Sequence, residues 1–153
     1  MGANLHMGAT LRWSERRSWR FVRSYLLMVD IGLLAYWAVA VADVLPAAWM
    51  FKGYDDPTIS AWNWSFFPLD LLASATGLAG IACMRKNRHE AGDCLILLSL
   101  CLTFCAGLMA LSFWALTRDY DVSWWGVNAC LMVPSAVLLA LRLGDLGGRR
   151  GAA

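Results

Sequence analysis

One acidic residue, Asp70, lies in the middle of the apolar stretch AWNWSFFPLDLLASATGLAG. An isolated carboxylate at bilayer depth costs about 3 kcal/mol or more, so it normally faces protein or water and has a partner. A desolvated carboxyl of this kind can donate a proton or pair with a cation on a ligand. It can also act only as a hydrogen-bonded fastener between helices. Asp70 is therefore the first candidate site residue.

Helical geometry places other polar residues on the same face as Asp70. At about 100° per residue, Asn63 and Ser74 return to nearly the same azimuth as Asp70. Asn128, in the last apolar run, has an expected depth of about 6 Å below the outer boundary, against about 12 Å for Asp70. We expect these residues to line an outward-leaning cavity, with Asp43 shallow on the same side.

A second acid, Asp30, lies in the first apolar run. At 1.5 Å per residue it is about 8 Å from the cytoplasmic end of the predicted helix, so we do not expect it to contact Asp70. Pairing with Arg23, or a hydrogen bond within the bundle, would satisfy its carboxyl. Its role in the site is left open.

Composition indicates the class of protein that must position these residues. Of the 153 residues, 59% are hydrophobic and 16% are charged, whereas a soluble domain is about 45–50% apolar and about 25% charged. Four apolar runs are each close to the ~20 residues that cross ~30 Å of hydrocarbon. The sequence predicts an all-α integral membrane four-helix bundle. The predicted spans are residues 25–45, 62–84, 94–116 and 124–143.

The distribution of Lys and Arg predicts the orientation. Only Lys52 and Arg118 fall in the two outer connections; the other cations precede the first span, separate the second from the third or follow the fourth. By the positive-inside rule both termini are cytoplasmic, in what we expect to be a bacterial inner membrane. The predicted organisation is a basic and aromatic segment 1–24, a transmembrane domain 25–143 and a tail 144–153. A nucleic-acid binder would instead cluster its basic residues on one soluble face.

The five cysteines and two histidines predict no disulfide framework, metal site or cofactor. All the cysteines fall inside or at the ends of the predicted spans. Cys101 and Cys105 share a helical face, but no histidine or second cysteine pair accompanies them. His6 and His89 both lie outside the spans. We therefore interpret the cysteines as small packing residues.

Several short motifs carry a resemblance to a known family. The order VLP, DDP, AWNWSFFPLDL and NACLMVPSAVLLALR, across about Val44 to Arg142, resembles the EXPERA domain of emopamil-binding sterol isomerases and the sigma-two receptor. That resemblance implies a four-helix bundle whose cavity opens toward the bilayer. It matches Asp70 to the second-span acid, Asp56 to the loop acid and Asn128 to a last-span asparagine. The chain is also similar to the small bacterial YvaD-like membrane proteins.

Three positions depart from the EXPERA pattern. Phe66 stands where the isomerases have a histidine one turn before the second-span acid. Leu131 stands where they have a tryptophan one turn after the asparagine. The first-span acid of the sigma-two type is displaced by about a turn, to Asp43. These departures argue against a sterol isomerase of the known mechanism.

Three functions remain open. The first is binding of an amphipathic, sterol-like or isoprenoid molecule, with Asp70 and Asp56 attracting an amine or hydroxyl and aromatic rings packing its apolar body. The second is an isomerase or cyclase that protonates an alkene, with Asp70 as the acid and Asn128 as an orienting group. The third is a structural membrane subunit. Expected partners are such a small molecule, membrane lipid and a second copy of the chain. The predicted ligand-binding residues are Trp37, Asp43, Asp56, Asn63, Trp64, Phe67 and Ser74.

Overall fold

The computed structural model describes residues 16–150. Residues 1–15 of the predicted amino-terminal segment, which include His6, lie outside the described residues. The last three residues of the predicted tail also lie outside them. Over the described range the chain is helical, without strands. Four helical segments are long and apolar enough to cross a membrane, which confirms the prediction of an all-α protein with four membrane-spanning helices. These segments are Ser18–Val41, Pro57–Arg85, His89–Leu116 and Val122–Gly144.

Residues 16–150 form six helices. They are α1 (Arg16–Val41), α2 (Ala47–Met50), α3 (Pro57–Trp64), α4 (Phe66–Arg85), α5 (His89–Leu116) and α6 (Val122–Arg150). Helix α1 begins before the predicted span 25–45, and α6 continues beyond residue 143, the predicted end of the last span. Helical hydrogen bonds are made within the segment, so a helix need not end where the apolar run ends.

The second span consists of two helices that meet at Ser65. The side chain of Asp56 caps α3, accepting a hydrogen bond from the backbone N–H of Thr58 at 2.7 Å. At the junction, the Ser65 hydroxyl donates to the carbonyl oxygen of Trp62 at 2.6 Å. Pro68 lies in the first turn of α4, where backbone N–H groups have no partner within α4. The backbone of Ser65 itself keeps helical dihedral angles, so α3 and α4 follow one another within a single span.

The four spans pack in the order α1, α4, α5, α6. Helix α4 contacts both α1 and α5, and α5 also contacts α6. Glycines allow the close approach of these helices. A Cβ added to Gly80 would lie 3.2 Å from the carbonyl oxygen of Gly92, and one added to Gly107 would lie 2.8 Å from that of Asn128. Small residues serve this purpose in membrane helices generally.

Tyr25 joins α1 to α6, the two outermost helices of this order. Its hydroxyl donates to the carbonyl oxygen of Leu131 at 3.0 Å and lies 2.9 Å from the Ser135 hydroxyl. Pro134, inside α6, has no N–H for the carbonyl of Cys130. The Tyr25 hydroxyl lies 3.5 Å from that carbonyl oxygen. The Tyr25 hydroxyl of α1 is therefore a hydrogen-bond donor next to the α6 carbonyl groups at which Pro134 lacks an N–H.

The hydrophobic core occupies one end of the bundle, toward the α4–α5 turn. Because lipid is as apolar as these side chains, their contribution comes mainly from close packing. An ion pair between Asp93 on α5 and Arg142 on α6 lies at the same end. The core side chains are Val22, Tyr25, Leu26, Val29, Ile81, Ile96, Leu100 and Leu138.

Candidate functional site

A cavity of about 140 Å³ lies between the four spans at the end opposite the core. Every span contributes to its wall, as does the connection between α2 and α3. Most of the apolar wall is aromatic, so the cavity offers ring faces to an occupant. Its polar lining residues are Tyr36, Lys52, Asn63, Asp70 and Asn128. Its aromatic lining residues other than Tyr36 are Trp37, Phe51, Trp62, Phe66, Trp114 and Trp124.

Asp70 has one hydrogen-bond partner in the described part of the chain. Its side chain lies at the cavity wall with the residue 7% exposed, and its Oδ2 accepts a hydrogen bond from Trp37 Nε1 at 2.9 Å. No Lys or Arg whose side chain the structure describes forms a salt bridge with it. One carboxylate oxygen, Oδ1, is therefore left for a ligand or a water molecule.

A group of rings fixes the position of Trp37. The Trp37 ring centroid lies 5.3 Å from that of Trp64 and 5.2 Å from that of Phe67. Neither of those two side chains lines the cavity. Trp64 and Phe67 are two of the predicted ligand-binding residues, and in the structure they pack against Trp37. This packing directs the Trp37 indole N–H toward Asp70.

Two amides border the same cavity. Asn63 donates through Nδ2 to the Tyr36 hydroxyl at 3.4 Å, and Asn128 donates through Nδ2 to the carbonyl oxygen of Trp124 at 2.9 Å. Each amide uses a donor in this way and keeps its oxygen as an acceptor. An occupant therefore meets further acceptor groups besides Asp70.

Three further predicted ligand-binding residues, besides Trp64 and Phe67, do not line the cavity. Asp43 is exposed in the turn after α1, with a φ of +50°. Asp56 is exposed and caps α3. Ser74 is fully buried on α4, one turn from Asp70, and does not line the cavity. An ideal helix places Ser74 on the same face as Asp70. The rotation of α4 relative to α1 and α5, which the sequence does not give, decides which residues Ser74 contacts.

Sequence reasoning missed several cavity residues. Trp62 stacks on Phe113 with centroids 4.0 Å apart and meets Phe66 edge-on at 5.0 Å. Trp62, Phe66 and Asp70 follow one another at intervals of four, so the spacing contained a signal that they share a face. Trp114 had no comparable local signal, because the inward face of α5 is set by its neighbours.

Lys52 forms ion pairs between the two outer connections, beside the cavity. One connection joins α2 to α3 and the other joins α5 to α6. Its Nζ lies 2.6 Å from Asp119 Oδ2 and 3.8 Å from Asp121 Oδ2. The hydrogen bond to Asp119 raises the pKa of Lys52, and the bond from the Ser123 hydroxyl lowers the pKa of Asp121. Lys52 and Asp70 are the lining residues with charged side-chain groups, and Lys52 is already paired with two carboxylates.

Comparison with known proteins identifies the family. The family described as "Family of unknown function (DUF5360)" matches residues 22–145. The chain belongs to the DUF5360 family. It is also 43% identical over 131 residues to "Uncharacterized protein YvaD" of Bacillus subtilis (strain 168), which covers 86% of this chain and 96% of that protein. The predicted similarity to the YvaD-like proteins is confirmed, and the EXPERA resemblance stays a prediction. No solved structure matches the chain.

The family region of this DUF5360 protein contains the whole cavity wall. The lining residues fall between positions 33 and 131, within the matched range 22–145. The basic residues before position 22 lie outside that range. The cavity is thus built from the part of the chain that defines the family.

Removing the Lys52 side chain should loosen the outer connections of the DUF5360 protein. In Lys52→Ala we expect amide hydrogen exchange in residues 46–56 to become a few-fold faster, because the connection loses its ion pairs with Asp119 and Asp121. High salt should have the same effect on the wild type, because exposed ion pairs are screened. Lys86→Ala, at the opposite end, is the control. Unchanged exchange in Lys52→Ala would contradict this role.

Proposed function

We propose that this DUF5360 protein binds a small amphipathic molecule whose cationic or hydroxyl head group pairs with Asp70. The observation that supports the proposal is a carboxylate with one unused oxygen at the wall of an aromatic cavity. A ligand cation would neutralise the charge, and a hydroxyl would donate the missing hydrogen bond. A nearby tryptophan face adds about 0.5–2 kcal/mol for a cation.

The size of the cavity limits what can enter it. Its volume of about 140 Å³ is close to the ~150 Å³ of an engineered cavity that admits benzene. It is smaller than the ~300–1,000 Å³ of sites that enclose a drug-sized ligand. A head group and about one ring fit within the walls. The remaining body of a sterol-like or isoprenoid ligand would extend outward past Val127, a lining residue that is 60% exposed.

We infer that the cavity lies in the outer half of a bacterial inner membrane, with both termini in the cytoplasm. The supporting observation is the concentration of cations in the amino-terminal segment, the α4–α5 turn and the carboxyl-terminal end. The EXPERA resemblance also favours a cavity that opens toward lipid, and Val127 offers such an opening. Alkaline phosphatase fused after residue 150 should be inactive, whereas a fusion between residues 118 and 121 should be active.

Thermal unfolding in a neutral detergent tests the binding proposal. The probe is benzyldodecyldimethylammonium, which combines one ring with a cation, and its uncharged comparison is benzyl dodecyl ether. We expect the cation to raise the Tm of the wild type more than the ether does. Asp70→Asn should lower the affinity for the cation at least about tenfold, which corresponds to about 1.4 kcal/mol.

Two further measurements complete this test. Asp43→Asn is the matched control, because Asp43 is exposed away from the cavity and asparagine tolerates its positive φ. It should keep the full response to the cation. Equal responses of wild type and Asp70→Asn would overturn the proposal. If Asp70→Leu were more stable than the wild type and cells were unaffected, Asp70 would be a fastener in a structural subunit.

An isomerase or cyclase is the second candidate function. The observation that favours it is the presence of Asp70 and Asn128 at one cavity with aromatic faces, which would stabilise a carbocation. Phe66 and Leu131 line the same cavity where the EXPERA isomerases have histidine and tryptophan, so Asp70 would act without those groups. Incubation with a lipid extract should then yield an isomerised or cyclised product that Asp70→Asn does not form.

A further inference from the structure

A second carboxyl lies deeper in the bundle without a partner. Asp30 of α1 is 0% exposed, and neither of its carboxylate oxygens has a hydrogen bond. None of the Lys and Arg side chains that the structure describes forms a salt bridge with it. Arg23, its partner in the sequence analysis, is exposed. A fully buried carboxylate in this condition is costly unless its charge is neutralised.

Helices α4 and α5 bring further oxygen atoms to this region. A Cβ added to Gly77 would collide with Asp30 Oδ2, and it would lie 2.8 Å from both Asp30 Cγ and Ser99 Oγ. Gly77 thus leaves the space that the Asp30 carboxylate occupies. Ser74 lies one turn from Gly77 on the same face of α4.

Ser74 and Ser99, like Asp30, are buried without a hydrogen-bond partner among the described residues. Ser74 and Ser99 are each 0% exposed, and neither hydroxyl oxygen has a hydrogen-bond partner. Together with Asp30 they supply four unsatisfied oxygen atoms from three helices. Buried polar side chains nearly always have partners, so these three side chains form a candidate binding site.

This region is separate from the cavity. Helices α1 and α4 run in opposite directions, with Trp37 beside Asp70 and Asp30 beside Gly77. Residues 30 and 37 are seven positions apart on α1, and residues 70 and 77 are seven positions apart on α4. Seven residues of helix correspond to about 10 Å along the bundle. None of the three unsatisfied side chains lines the cavity.

We propose that Asp30, Ser74 and Ser99 bind one sodium ion between α1, α4 and α5. Hard cations prefer oxygen ligands, and in secondary transporters the Na⁺ site lies inside the helical bundle near the bilayer midplane. One carboxylate neutralises a single positive charge, whereas a divalent ion would remain undercompensated. A proton on Asp30 would remove the charge but could give a donor to at most one of the two serine oxygens. A sodium ion held by these side chains would give their oxygen atoms a partner, and this site does not depend on the proposed function.

Thermal unfolding of the purified full chain in detergent tests the sodium site. At constant ionic strength, replacing choline chloride with sodium chloride should raise the Tm of the wild type, because an ion that binds only the folded state stabilises it. Potassium chloride should raise it less. Asp30→Asn should abolish the sodium response, and Ser99→Ala should shift its midpoint to at least about tenfold higher sodium concentration.

Control variants separate this site from other effects of salt. Ser112→Ala removes an exposed hydroxyl from the same helix as Ser99 and should keep the sodium response. Asp70→Asn should keep it as well, while losing the response to the cationic amphiphile. If Asp30→Asn does not fold, Ser74→Ala and Ser99→Ala provide the test.

Three outcomes would overturn the sodium site. The first is equal stability of the wild type in sodium and choline chloride. The second is a sodium response that survives in both Asp30→Asn and Ser99→Ala, which would place the ion elsewhere. The third is a dependence of Tm on pH that requires Asp30 but is indifferent to sodium, which would assign only a proton to this carboxyl.

Discussion

Arg142→Ala is expected to lower the free energy of unfolding by about 3 kcal/mol. The Arg142 side chain is 5% exposed and that of Asp93 is 26% exposed, and the two form an ion pair between α6 and α5. Removing one partner leaves the other charge without compensation, and the usual cost is about 3–5 kcal/mol. We expect the lower end of that range because water reaches Asp93. Thermal or denaturant unfolding in detergent measures the loss.

Two companion variants interpret the result for Arg142. Arg88→Ala removes an exposed arginine near the start of α5 and should change stability little. The double variant Asp93→Leu/Arg142→Met replaces the pair by apolar groups and should recover most of the lost stability. If Arg142→Ala were no less stable than Arg88→Ala, the ion pair would contribute nothing to the contact between α5 and α6.

Gly107→Val is the second substitution with a large expected effect. A Cβ at Gly107 would lie 2.8 Å from the carbonyl oxygen of Asn128 and 3.0 Å from the backbone nitrogen of Met132. Backbone of a packed helix cannot move aside as a flexible side chain can, so α5 and α6 must separate. Overpacking of this kind typically costs about 1–3 kcal/mol. Because Asn128 lines the cavity, the response to the cationic amphiphile should weaken at the same time.

Gly126→Val is the matched control for this substitution. No heavy atom outside the local backbone lies within 4 Å of a Cβ added to Gly126. The intrinsic effect of valine on a helix is common to both variants, so their difference in Tm isolates the contact between α5 and α6. Equal losses in the two variants would show that α5 and α6 tolerate a wider separation.

Asp70 illustrates how far local reasoning reaches toward the site. Its importance followed from the high cost of a charge in an apolar run, which is a property of the residue and its immediate neighbours. Its partner Trp37 was also a predicted site residue, but the hydrogen bond between them was not predicted. Residues 37 and 70 lie on different helices, and their contact depends on the register of α1 against α4.

For other predicted site residues, local reasoning did not give the contacts that the structure shows. Asp56 was assigned to a ligand through its resemblance to a loop acid, yet its position before Pro57 also fits a helix cap, and the structure shows that cap. Trp64 and Phe67 were assigned to the cavity and lie behind Trp37 instead. Each of these residues has a side chain that could contact a ligand. The orientation of that side chain relative to the other helices decides what it contacts in the structure.

Hydropathy and chain length were enough to predict four membrane-spanning helices, because the cost of burying an unsatisfied backbone in lipid leaves few alternatives. Rotation and register of the helices were a different matter, since segments that are apolar on nearly every side carry little information about which face turns inward. Packing at Gly77 and Gly107 settles those choices. It thereby places Asp70 at a cavity and leaves Asp30 enclosed with two serines.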